Sequence, residues 1–176
     1  IETLKYLVSI HIDYNKNIIL DGFFNELGFG KTYGLTDPVK LNGTNVSINI
    51  LILMILIGDN KKIVEYLLLL NENLSFDKID FNQFSIDDKW SYKGFKCDAL
   101  VLLVIMSDDI DLFKILYNQK NRNKEEIIKY KDKDGVERST TLFKIAIYEG
   151  RLKIFEEIKK NTSLSYQFNE TDKDSI

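Results

Sequence analysis

The chain has 176 residues, of which 44% are hydrophobic and 29% charged, the size and balance of one folded domain with a substantial core. Its formal net charge is −3 and its lysines are interspersed with acidic residues, so a nucleic-acid partner is not expected. The single cysteine excludes an internal disulfide, and the longest apolar run, within residues 48–57, is about half the length of a membrane span.

The first part of the chain is interpreted as a partial repeat followed by an insertion. Residues 2–11 have apolar side chains at helical spacing, typical of the second helix of an incomplete repeat over 1–15. Residues 16–36 form a glycine-rich insertion, within which 17–27 are compatible with a short helix. The chain begins at Ile1 without a methionine, which favours a piece of a larger protein.

Three later stretches share one pattern, which is an apolar run, a polar break and a second, amphipathic run. They are residues 51–67, 100–115 and 142–158. The polar breaks fall near Asp59, Asp108 and Gly150. Self-similarity at intervals of a few tens of residues indicates a repeat array, in which each helix pair buries its apolar face against its neighbours.

The boundaries of the repeats follow from this pattern. We place the full repeats at about residues 37–76, 87–120 and 132–161. They belong to a single domain, residues 1–162, which a polar tail at 163–176 follows. A polar segment containing Gly43, Gly94 or Gly135 precedes each helix pair and predicts a turn, which we call the finger of that repeat.

The third repeat resembles an ankyrin repeat. Thr141, Phe143, Ala146 and Gly150 fall where that family has its Thr, Leu, Ala and Gly, and the paired aliphatic positions are matched by Ile154 and Phe155. The resemblance implies an all-α solenoid of stacked helix-turn-helix repeats with hairpin-like fingers. Its repeats are longer than usual, because the corresponding positions Ile63, Leu112 and Ile154 are 49 and 42 residues apart, against about 33 in the family.

Large apolar side chains in the polar fingers are the candidate partner-binding residues, because such groups either fold back on the core or make contacts. Trp90, Tyr92 and Phe95 lie in the second finger. The matching places in the other two fingers are Val46, Ile48, Val136 and Arg138. Tyr148 precedes the third polar break and could face the groove of the array.

No motif in the sequence predicts catalysis, a cofactor or a metal. His11 is the only histidine and has no nucleophile beside it in a recognisable pattern. Cys97 is interpreted as a small hydrophobic residue at a helix start, and Asp108 and Asp109 as solvated residues that cap a helix. The chain is therefore expected not to be an enzyme.

The leading hypothesis is a protein–protein interaction module that binds a protein partner through its finger loops and the concave face of its helices. Such a module would be cytoplasmic, in its own or a host cell, and by analogy with the family could belong to a larger bacterial or viral host-interacting protein. The alternative is a scaffolding or oligomerisation segment of a larger enzyme whose active site lies elsewhere. Self-association through an exposed terminal repeat, near Leu4 and Leu7, would favour that alternative.

Overall fold

A computed structural model describes seven segments of the chain. They are residues 18–20, 40–41, 46–58, 61–80, 84–85, 95–131 and 134–161. The partial repeat at 1–15 with His11, the finger residues Trp90 and Tyr92, and the tail at 163–176 lie outside the described residues.

Helices and strands alternate along these segments. The helices are α1 (Ile50–Ile57), α2 (Lys61–Leu70), α3 (Ala99–Met106), α4 (Ile110–Tyr117), α5 (Leu142–Tyr148) and α6 (Leu152–Asn161). The strands are β1 (Ile18–Leu20), β2 (Lys40–Leu41), β3 (Val46–Ile48), β4 (Ile79–Asp80), β5 (Phe84–Ser85), β6 (Lys96–Cys97), β7 (Ile127–Lys131) and β8 (Glu137–Thr141). A 3-10 turn, Glu72–Ser75, follows α2. The three helix pairs lie where the repeated stretches predicted them.

The predicted all-α class is wrong, because the described residues contain four two-stranded antiparallel ladders and the fold is mixed α/β. β1 pairs with β3, β4 with β6, β7 with β8, and β2 with β5. The short helix considered for 17–27 is also wrong, since β1 occupies 18–20. Two- and three-residue strands leave little local signal, because pairing with a distant partner is what stabilises them.

One arrangement of a strand pair followed by a helix pair occurs three times. We call these unit 1 (β1, β3, α1, α2), unit 2 (β4, β6, α3, α4) and unit 3 (β7, β8, α5, α6). The ladders correspond in register, with the cross-strand pairs Ile18–Ile48, Ile79–Cys97 and Ile128–Thr140. The next residue along the chain is in each case the N-cap of the first helix of the unit, so the strand pair positions the helix start.

The three N-caps are made in the same way by residues suited to the position. The Asn49 side chain accepts a hydrogen bond from the backbone N–H of Ile52 at 2.8 Å, and Asp98 accepts one from Val101 at 3.0 Å. Thr141 accepts one from Lys144 at 3.3 Å. These caps therefore align the three units residue by residue.

The helices form two layers. α3 contacts both α1 and α5, and α4 contacts both α2 and α6. All eight residues of α3 are buried, as expected for the middle helix of a stack that is apolar on every side. The outer helices keep exposed polar positions, such as Glu65 of α2 and Lys114 of α4. The core is thus continuous along the array.

Arginine side chains link one unit to the next. The Arg122 guanidinium, which follows α4, pairs with the Asp98 carboxylate and donates to the carbonyl of Ser75 in the preceding turn at 3.0 Å. Arg151, which precedes α6, donates from Nε to the carbonyl of Val104 at 3.0 Å and from Nη2 to that of Ile105. Both residues therefore satisfy backbone carbonyls of the preceding unit, which packing alone would leave without a donor.

Candidate interaction surface

The matching positions of α1, α3 and α5 differ in burial, and the difference locates a candidate surface. When the three helices are aligned from their N-caps, the third, sixth and seventh residues after the cap lie on one face of each helix. They are Ile52, Ile55 and Leu56 in α1, Val101, Val104 and Ile105 in α3, and Lys144, Ile147 and Tyr148 in α5. All six residues in α1 and α3 are buried, whereas Ile147 is 41% exposed and Tyr148 is 53% exposed.

On the opposite faces of the same helices, burial is greater in α5 than in α1. Leu142, Ile145 and Ala146 of α5 are buried, and the matching Ile50, Leu53 and Met54 of α1 are half-buried. The preceding unit thus covers one face of α3 and of α5, and the following unit covers the other face of α1 and of α3. Ile147 and Tyr148 therefore lie on the face that, in units 1 and 2, the following unit covers.

Helix α6 extends this face. Phe155 corresponds to Val64 of α2 and Phe113 of α4, which are buried, but is itself only half-buried. The rings of Phe155 and Phe143 are 4.9 Å apart, which joins α6 to α5. We call Lys144, Ile147, Tyr148, Phe155 and Lys159 the end face.

Two lysines distinguish the end face from the buried faces to which it corresponds. Lys144 is exposed at the position of Val101, and Lys159 is exposed at the position of Tyr117. A face that is exposed to solvent carries more polar side chains than one that lies between two packed helices. The end face therefore has an apolar centre and a basic rim.

The last carbonyls of α5 accept hydrogen bonds from the turn that follows the helix. Gly150 has a positive φ of 65°, and the backbone N–H of Arg151 donates to the carbonyl of Ala146 at 2.8 Å, as in a glycine-terminated helix. Helix α3 ends instead at Ser107, and its carbonyls at Val104 and Ile105 accept from Arg151 of unit 3. The turn after α5 thus supplies donors to α5, whereas two carbonyls of α3 accept from Arg151 of unit 3.

The β7–β8 strand pair presents further exposed apolar side chains in unit 3. One side of it packs on unit 2, where the Tyr130 and Phe95 rings meet edge to face at 6.5 Å. Ile127 is 66% exposed and pairs with Thr141, the N-cap of α5. Val136 is 49% exposed near the turn at Gly135.

The structure divides the predicted partner-binding residues into two groups. Phe95, Val46 and Ile48 are buried in the core, so they do not form a contact surface. Val46 and Ile48 are two apart in β3, and strand geometry turns both side chains to the same buried side. Val136, Arg138 and Tyr148 are exposed, and all three belong to unit 3.

Sequence reasoning missed Ile127, Ile147 and Lys144. Ile127 lies between the second and third predicted repeats, and the alternation of residues 127–131 is too short to predict a strand from the sequence. Ile147 and Lys144 differ from their buried counterparts only when α1, α3 and α5 are aligned from Asn49, Asp98 and Thr141. An alignment of the three helices from their N-caps could therefore have identified Ile147 and Lys144 from the sequence.

One buried thiol and the absence of a metal-binding cluster describe the candidate chemistry of the described residues. No group of three or more His, Cys, Asp or Glu that could hold a metal occurs among the described residues. The Cys97 thiol is buried, and burial raises its pKa well above the ordinary value, with the neighbouring carboxylates of Asp98 and Asp80 adding to the rise. A protonated, enclosed thiol is a poor nucleophile.

Cys97 should therefore react slowly with a thiol reagent in the folded protein and rapidly in urea. The thiol of the unfolded chain ionises above about pH 8.5, whereas the folded thiol stays protonated, so stability should fall as the pH rises above that value. Urea unfolding between about pH 7 and pH 10 measures this, with Cys97→Ala as the control. Equal pH dependence in the two proteins would contradict the prediction.

Comparisons of the chain with protein-family models, curated proteins and solved structures found no match. Among the described residues, no helix has both the length and the apolar character needed to cross a membrane.

Proposed function

We propose that the chain is a protein-interaction module and that it binds its partner protein through unit 3. The observation that carries the proposal is the exposure of Ile147 and Tyr148 at positions that are buried in α1 and α3. Large apolar and aromatic side chains gathered on one exposed face are typical of protein–protein contacts. Tyrosine in particular is enriched among residues that dominate binding energy.

The order of elements in each unit also supports the ankyrin-like character inferred from Thr141, Phe143, Ala146 and Gly150, which remains part of the proposal. Rigid stacking of the units supports a binding role, because a surface held by buried helices and inter-unit arginines loses little conformational entropy on binding. Arg138 and Val136 on the β7–β8 strand pair extend the proposed surface beyond α5.

The proposal is tested by placing a photo-crosslinking amino acid at Tyr148 of the full chain in the cells that express it. We expect a discrete adduct with another protein, because the side chain at this position would lie in the contact. The matched control is the same substitution at Leu69, which is 85% exposed on α2. Adducts of equal yield and identity at both positions, or none at Tyr148, would contradict the proposal.

A further inference from the structure

We propose that residues 1–10 of this chain bind as a helix to α2, in the way that α2 binds to α4 and α4 binds to α6. The face concerned, which we call the start face, consists of Ile63, Tyr66 and Leu70. These residues share one side of α2 because they stand at i, i+3 and i+7. All three are half-buried, whereas α4 and α6 have almost completely buried residues at the position of Ile63, namely Leu112 and Ile154.

In units 2 and 3, this side of the second helix faces the second helix of the preceding unit. Glu157 of α6, which has the position of Tyr66, pairs with Lys114 of α4 at 3.5 Å. Asp111 of α4 pairs in the same way with Lys61 of α2, also at 3.5 Å. Each unit of a stacked array contacts its neighbours through repeated faces. The occupant that the start face matches is therefore one more second helix.

The sequence of residues 4–8 is that of a second helix. It reads LKYLV, against VEYLL at 64–68 in α2 and FKILY at 113–117 in α4. In all three segments the second residue is charged, the fourth is leucine, and the others are aliphatic or aromatic. Leu67 and Leu116, the leucines of α2 and α4, are fully buried, so Leu7 at the same position is suited to burial.

The spacing between this segment and the following strand agrees with the assignment. In each case the leucine precedes the first-strand residue of the next ladder by 11 or 12 residues, namely Leu7 to Ile18, Leu67 to Ile79 and Leu116 to Ile128. Residues 1–10 thus lead into unit 1 as α2 leads into unit 2 and α4 into unit 3. A segment with this pattern at this distance from β1 is the natural occupant of the start face.

The alignment also sets the register of the contact. Lys5 has the position of Lys114, and Tyr66 has that of Glu157, so Lys5 is expected beside the Tyr66 ring. A lysine ammonium near a tyrosine ring is a favourable contact. The axes of packed helices are about 8–10 Å apart, a distance that a short bifunctional reagent spans.

The test is thiol crosslinking in the full chain, with Cys97→Ala so that only introduced thiols react. Lys5→Cys/Tyr66→Cys is treated with a short bismaleimide, and intact-mass spectrometry measures the linked product. The matched control is Lys5→Cys/Lys61→Cys, because the Lys61 side chain points toward Asp111 of α4 and so away from the start face. We expect linkage within one chain to be about tenfold or more faster for the 5/66 pair than for the 5/61 pair.

Two further substitutions make the result specific to the proposed helix. Leu7→Ser, added to the 5/66 pair, should slow the linkage because it removes the apolar side chain that the helix would bury. Ser9→Ala should leave the rate unchanged, because Ser9 has the position of Leu69, which is 85% exposed. Circular dichroism shows whether each variant keeps its helices. The comparison of the 5/66 and 5/61 pairs decides even if Leu7→Ser unfolds the chain.

Three results would overturn the inference. The first is an equal rate of linkage for the 5/66 and 5/61 pairs. The second is a rate for the 5/66 pair that Leu7→Ser leaves unchanged in a folded variant. The third is a product of twice the chain mass, which would assign the start face to a second copy of this chain. None of these substitutions lies in unit 3, so each result leaves the proposed function to its own test.

Discussion

Replacing Arg122 by alanine is expected to lower the free energy of unfolding by about 3–5 kcal/mol, because it would leave the Asp98 carboxylate buried without a counter-charge. Both side chains are almost completely buried, with exposures of 3% and 2%. The guanidinium also lies over the Phe76 ring, 4.7 Å from its centre, and donates to the Ser75 carbonyl. One substitution thus removes an ion pair, a ring contact and a link between units 1 and 2. Urea unfolding followed by circular dichroism measures the loss.

Two control variants identify the cause of that loss. Lys78 and Glu126 also form an ion pair, but their side chains are 45% and 32% exposed, so Lys78→Ala should cost no more than about 1 kcal/mol. The double variant Asp98→Asn/Arg122→Met keeps a cap oxygen for Val101 and buries no charge, so it should recover much of the stability lost in Arg122→Ala. Equal losses in Arg122→Ala and Lys78→Ala would show that the buried pair does not stabilise the array.

The helical part of the fold was predictable because its signals are local. Helix α3 is apolar on every side over eight residues, and α4 carries a stripe at helical spacing, so both are visible without tertiary information. The caps Asp98 and Thr141 are residue types that favour helix starts and stand directly before those runs. The residues that determine these helices therefore lie within each helix or directly before it.

The strands and the surface depend on contacts that a local pattern does not contain. Phe95 stands in a polar stretch and was interpreted as a contact residue, yet its ring packs against Tyr130, 35 residues further along the chain. Ile79 pairs with Cys97 across a segment that looks like loop in the sequence. The end face was hidden for a related reason, since Tyr148 is unusual only when compared with Ile105 and Leu56.

The same comparison of α3 with α5 predicts a second large effect, which is a difference in the free energy of unfolding between substitutions at equivalent positions of the two helices. Ile105 of α3 is 1% exposed, so Ile105→Ala should lower the free energy of unfolding by about 2–5 kcal/mol through lost burial and the cavity left between units 2 and 3. Tyr148→Ala removes a larger side chain from the same helical position of α5. Because Tyr148 is 53% exposed, its loss should cost no more than about 1 kcal/mol.

Leu56→Ala completes the set, because Leu56 of α1 is fully buried at the same position and should behave like Ile105→Ala. Urea unfolding of the three variants under one set of conditions gives the ranking. If Tyr148→Ala destabilised the protein as much as Ile105→Ala, the end face would be part of the core and could not bind a partner. A small loss for Tyr148→Ala, together with large losses for Ile105→Ala and Leu56→Ala, would mean that unit 3 keeps this face exposed at little benefit to folding, as a contact surface requires.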